Sequence, residues 1–166
     1  QRTAIYEQTW VSGQLVTSQY VEEISSTAVD EVVERGTAMT SVAEGDTVVK
    51  VTTNADGSGC LTFASGGTMK FKKAVTVTAT AYTAGHDGVG TRTASGTAVH
   101  EGVAAVDKRV FPLGSDLYVV AKGMEYGLTR AEDTGMKGPK IDLYMESYQE
   151  CIQFGRRTGT VYLLED

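Results

Sequence analysis

Asp133 and Asp142 lie nine positions apart in Ala131-Glu132-Asp133-Thr134-Gly135-Met136-Lys137-Gly138-Pro139-Lys140-Ile141-Asp142-Leu143-Tyr144. The segment reads as a strand end, a loop punctuated by Gly and Pro, and a second strand. Asp133 opens the loop and Asp142 sits two residues into the exit strand. Alternation there puts Ile141, Leu143 and Met145 on one face and Asp142 and Tyr144 on the other. Asp142 is therefore expected opposite the apolar face of a packed strand, held more rigidly than a loop carboxylate. A second carboxylate nearby raises its pKa by like-charge repulsion, which suits a general acid near neutral pH.

The chain that must position these groups has 166 residues, enough for one full core plus a smaller unit. Its net charge of −6 argues against nucleic-acid or anionic-membrane binding, both of which favour basic patches. No apolar run is long enough to span a membrane. The sequence begins at Gln1 inside an apparent strand, so it reads as a trimmed part of a longer precursor, and a missing signal peptide carries no weight. Abundant Thr, Val and Gly with only two Pro suit a β-rich protein. Cys60 and Cys151 are too few for a disulfide framework and lack metal-ligand spacing; a Cys60–Cys151 bridge and a packed Cys151 both remain open.

Residues 1–37 form a small β unit: Thr3–Val11, a Ser12-Gly13 turn, Gln14–Ile24, then Val29–Val33 and a stop at Gly36-Thr37. Trp10 is expected to pack inside it. Residues 38–73 read as a β-rich linker with strands over Thr47–Thr53 and Leu61–Ala64, or as a flexible one. Residues 74–166 carry sharper signals. Val75, Val77, Ala79 and Ala81 alternate with Thr76, Thr78, Thr80 and Tyr82, and short strands follow at Val103–Val106, Asp116–Ala121, Leu128–Asp133, Lys140–Met145 and Thr160–Leu164. Ser147 and Glu150 form a capping-box pattern for one helix, with Tyr148, Cys151 and Ile152 on one face and Gly155 as its stop. Six or so strands and one short helix indicate a mainly β fold, a small barrel preceded by the β unit.

Ala79-Thr80-Ala81-Tyr82-Thr83, Ser95-Gly96-Thr97, Gly102 to Asp107, Pro112 to Ser115, Ala131 to Gly135, Lys137-Gly138, Ile141 to Tyr144 and Phe154 to Arg157 occur in an order and spacing that closely resemble the three-aspartate (3D) domain of bacterial cell-wall proteins. That domain occurs in stationary-phase survival proteins and is similar to the C-terminal part of MltA-type lytic transglycosylases. The resemblance covers roughly residues 74–166 and places the family's aspartates at Asp107, Asp133 and Asp142. It implies a six-stranded double-psi β-barrel, as in expansins, and an extracellular or wall-associated protein of a Gram-positive bacterium. It also implies cleavage of peptidoglycan glycan strands without a cofactor: the C6 hydroxyl of N-acetylmuramic acid attacks C1 and leaves a 1,6-anhydro end. Residues 1–37 resemble the C-terminal half of the G-five (G5) module, on Ser12-Gly13-Gln14, the Val29–Val33 strand and Gly36-Thr37.

On this reading Asp142 aligns with the catalytic Asp of the MltA-type enzymes and acts as acid, then base, while Asp133 raises its pKa and orients it or the sugar. Asp107, ahead of a basic turn, fits a loop cap as well as a supporting role. Tyr82 and Tyr144 offer rings for sugar stacking or for packing. Thr97 offers a donor to a sugar oxygen or is a turn residue. Lys137 offers a cation for developing negative charge or an acetamido carbonyl, or is solvated. His86 and His100 are loop residues without a metal-ligand pattern. Three rivals stand beside this reading. An expansin-like module would bind wall polysaccharide without cutting it. An adhesin would use both units only to bind sugar. An aspartic protease built on Asp133-Thr134-Gly135 would need a dimer, and Glu132 is charged where an apolar residue is usual. The Gly-containing segment before the barrel allows domain swapping into a homodimer.

Overall fold

The computed structural model describes residues 2–11, 14–25, 45–86 and 88–165, the first two stretches as backbone only. The chain divides into two compact units, Gln1–Gly36 and Thr37–Asp166. In the first, β1 (Arg2–Val11) and β2 (Gln14–Ser25) pair antiparallel, with register shifts between Ile5 and Tyr6 and between Thr9 and Trp10. The Ser12-Gly13 turn, the Val29–Val33 strand, Gly36-Thr37 and the Trp10 side chain lie outside the described residues.

In the second unit, alternating β-branched and apolar residues build β3 (Val48–Thr53), β4 (Gly59–Phe63) and the long β5 (Thr68–Tyr82). Then come β6 (Val103–Val106), β7 (Asp116–Ala121), β8 (Met124–Thr134), β9 (Lys140–Tyr144), α1 (Tyr148–Phe154) and β10 (Arg157–Leu164). The sheet runs β10-β7-β8-β6-β9-β5-β4-β3, and β10 also pairs with β5. That second pairing closes β5 to β10 into a six-stranded barrel, with parallel pairs β5–β9 and β6–β8 among antiparallel ones. The fold is the double-psi β-barrel with one short helix that the sequence indicates.

The barrel interior is filled by Val77, Ala79, Val106, Leu117, Val119, Ile141, Leu143 and Val161, closed by Phe111 and Phe154. The N-terminal half of β5 leaves the barrel to pair with β4, and the same strand therefore serves both sheet regions. A second cluster of Leu61, Phe63, Met69, Phe71, Tyr118, Tyr162 and Leu164 joins the β3–β4–β5 meander to the barrel wall. Phe63 meets Tyr118 edge-on with centroids 5.2 Å apart.

Two local expectations are corrected. Strand β8 begins at Met124 rather than Leu128 and forms a hairpin with β7. Gly127, at φ 91°, sits at a register shift between Val119 and Val120, so a bulge glycine inside the strand imitates a turn signal. The helix forms with the Ser147–Glu150 capping box in place, but its apolar contact is different. Tyr148 and Ile152 are 44% and 58% exposed, whereas Phe154 is buried and Cys151 packs partly against the core. A helix this short docks by its C-terminal end, where Arg157 donates to the carbonyls of Phe154 and Gln153. Cys60 and Cys151 are free thiols, on β4 and α1.

Candidate active site

Strand register brings the site together. Asp133 on β8 and Asp142 on β9 both pair with Ala105 on β6, which lies between them in the sheet. Asp142 is in turn the register partner of Thr80 on β5. Paired residues project to the same side of a sheet. Asp133, Ala105, Asp142 and Thr80 thus make one row across four strands. Two strand spacings set the two aspartate Cα atoms about 10 Å apart, and Ala105 leaves the space between them open because it ends at Cβ.

Thr80 Oγ1 donates to Asp142 Oδ1 at 2.7 Å. The Asp142 carboxyl is pushed above its usual value, chiefly because burial disfavours the charged form; the Thr80 hydrogen bond opposes this and Asp133 adds repulsion. Burial, rather than the second carboxylate alone, is thus the larger source of the shift. Asp133 is fixed by backbone donors: Oδ1 accepts from Ala94 N at 3.0 Å and Thr134 N at 2.8 Å. The loop carrying Ala94 is held by Glu132, whose Oε2 accepts from Thr97 Oγ1 and whose carbonyl accepts from Ser95 N. Thr97 is exposed and also meets Thr93 Oγ1 at 2.8 Å.

Tyr82 and Tyr144 lie beside this row, edge-on to each other with centroids 5.6 Å apart. Tyr144 is 8% exposed, so its ring is a packing surface with little face to offer a sugar. The Tyr82 hydroxyl is buried without a hydrogen-bond partner. Its phenol is pushed up, first by burial, then by the charges of Asp133 and Asp142. It therefore stays protonated as a donor near both carboxylates.

Asp107 stands apart from the row and is saturated. Oδ1 accepts from Arg109 N and Nε, and Oδ2 from Arg109 Nη2 and from Gly138 N at 2.8 Å. The Arg109 side chain holds this carboxyl well below the usual range. Its geometry is that of the loop cap: it pins the loop between Asp133 and Asp142 and keeps no oxygen for a ligand.

Lys137 is exposed on that loop and borders an open groove of about 330 Å³ with Thr78, Thr80, Met136, Lys140 and Arg156. His86 stacks on Tyr148 with centroids 3.9 Å apart, and His100 Nδ1 lies 2.7 Å from the Glu101 carbonyl. Among the described residues no group of three His, Cys, Asp or Glu side chains gathers to hold a metal ion, and no helix is long and apolar enough to cross a membrane. Sequence reasoning assigned no role to Thr80, Glu132 or Tyr126, whose hydroxyl donates to the Tyr144 carbonyl at 2.7 Å. Two signals bore on Thr80: the threonine-rich face of β5 and its place in Ala79-Thr80-Ala81-Tyr82-Thr83, a segment that carries the resemblance.

Residues 102–165 match the 3D domain family, and the match takes in all three aspartates. The chain is also similar to two proteins of Bacillus subtilis (strain 168). "Cell wall-binding protein YocH" is 42% identical over 98 residues, covering 55% of this chain and 33% of that protein. "Putative cell wall shaping protein YabE" is 37% identical over 98 residues, covering 55% of this chain and 23% of that protein. The chain thus spans 33% and 23% of the length of these curated relatives.

Proposed function

We propose that this chain acts at the Gram-positive cell wall as a lytic transglycosylase, cutting peptidoglycan glycan strands with Asp142 as a single acid and base. The carrying observation is Asp142 itself: a strand-borne carboxyl, raised by burial, bonded to Thr80 and facing Asp133 across Ala105. Protonated Asp142 gives its proton to the oxygen linking C1 of N-acetylmuramic acid to the next sugar. The C1–O bond breaks and the leaving sugar keeps that oxygen as a hydroxyl. The C6 hydroxyl of the same muramic residue attacks C1, and its proton returns to Asp142. No water is consumed, and Asp142 ends as it began. Asp133, fixed by two backbone donors, faces the positive charge that develops at the sugar ring. Tyr82, a buried phenol that stays protonated beside the row, packs against Tyr144 and limits the water that reaches the two carboxylates.

The test is release of soluble fragments from purified insoluble peptidoglycan. Asp142→Asn is expected to lower the rate by roughly 10²–10⁴-fold while folding normally. Asp133→Asn should also be slower. Full activity in Asp142→Asn removes the mechanism.

A second reading is a wall-polysaccharide binder that does not cut. It is favoured by the relatives' names, which speak of binding and shaping. Retention on peptidoglycan with no soluble fragments, alike in wild type and Asp142→Asn, would establish it.

A further inference from the structure

The groove beside Thr80 holds three cations in a chain whose net charge is −6. Lys140 pairs with Thr78 just as Asp142 pairs with Thr80, so all four side chains project from one face of the β5–β9 pair. Lys137 comes from the loop before β9, and Arg156 from the link between α1 and β10. Three separate segments thus bring positive charge to one concavity. None of the three side chains has a hydrogen-bond or ion-pair partner among the described residues. Nor do they serve Asp142, since none of them contributes to its shift. All three are exposed, so an anion entering the concavity at low salt meets positive charge from three segments at once.

We propose that this groove is an oxyanion subsite, in which Lys137, Lys140 and Arg156 seat a carboxylate or phosphate carried by the polymer whose glycosidic bond reaches Asp142. The proposal rests on the wall-polymer reading above only for the identity of that polymer. Lys140 and Asp142 are two residues apart on one strand face, about 7 Å. That separation is near the length of one sugar ring, so the anion belongs to a substituent on the sugar being cut or on its neighbour. Two sources fit: carboxylates of the peptide attached to muramic acid, and phosphates of a polymer linked to the glycan.

The experiment is co-sedimentation of the full chain with insoluble cell wall at low salt, in three arms: untreated wall, wall stripped of phosphate polymer with acid, and wall with its carboxylates amidated. The variants are Lys137→Gln/Lys140→Gln/Arg156→Gln together and, as a control on exposed β5 away from the groove, Lys70→Gln. Both should melt as wild type does, because all four residues are exposed. The triple variant is expected to bind roughly tenfold more weakly at low salt. The gap should close near about 1 M salt, where screening is short-ranged. Lys70→Gln should bind as wild type. Loss of wild-type binding after amidation assigns the anion to carboxylate, and loss after stripping assigns it to phosphate. Equal binding by the triple variant and wild type overturns the subsite, as does wild-type binding that neither treatment alters, or no wild-type binding at all. The enzyme reading is scored separately by fragments in the supernatant. Charge-dependent binding without fragments keeps the subsite and loses the transglycosylase. Equal fragment release with equal binding does the reverse.

Discussion

At the residue scale, Asp142 carries the account and its raised pKa has a thermodynamic signature. The folded state holds the Asp142 proton more tightly than the unfolded chain does. The cost of ionising it is absent below the unfolded value of about 3.9. That cost grows as pH rises through the interval up to the folded value and is complete above it. Asp142→Asn keeps the shape and cannot ionise. It is expected to melt close to wild type at about pH 3 and above wild type at about pH 7. A melting difference that is the same at both pH values contradicts the raised pKa. Tyr82 gives an independent check. Its hydroxyl is buried and unpartnered, so Tyr82→Phe should cost no stability and gain up to about 1 kcal/mol in denaturant titration. A loss of that size would mean that the hydroxyl has a partner. The orientation of Asp142 was legible in the sequence because strand alternation is a local rule. Thr80 was not, because its contact with Asp142 spans 62 positions and arises from the parallel β5–β9 register.

Elements carry their own constraints, and several were readable. The capping box announced α1, and the alternation of β5 announced its barrel half. The start of β8 was hidden because a glycine in a bulge and a glycine in a turn look alike in sequence. The face of α1 was misjudged because helical spacing says which side chains align, not which end of a seven-residue helix is anchored. Glycine also matters where chains approach closely. A Cβ at Gly59 would stand 2.1 Å from the Thr52 carbonyl oxygen and 2.4 Å from Phe71 Cζ, whereas one at Gly67 meets only Ser65 Oγ at 3.4 Å. Gly59→Ala should therefore destabilise by roughly 1–3 kcal/mol, the cost of overpacking. Gly67→Ala should be near neutral. Equal effects in thermal melts would show that the β3–β4 edge relaxes freely around the added methyl.

For the whole molecule, the placing of a boundary near residue 74 is what stability can test. The sequence drew it there because the clean alternation begins with Val75. The structure runs β5 unbroken across that point, and Phe71 on its outer half packs against Tyr162 of β10 with centroids 5.0 Å apart. A chain beginning at Ala74 loses Leu61, Phe63, Met69 and Phe71, all buried. It should melt at least roughly 10 °C below one beginning at Gly45. Matching melting temperatures would make the barrel independent of the meander. The barrel as a class was legible because many short strands with turn signals leave few alternatives. The row of Asp133, Ala105, Asp142 and Thr80 follows only from the long-range β6–β8, β6–β9 and β5–β9 pairings, which no local pattern announces. The most direct test of the central claim is mass spectrometry of the fragments that the wild-type chain releases from purified peptidoglycan. Muramic ends lighter by one water than the hydrolytic product, and missing with Asp142→Asn, are the result expected of an internal C6 attack. Reducing ends, or identical products from wild type and Asp142→Asn, would contradict it.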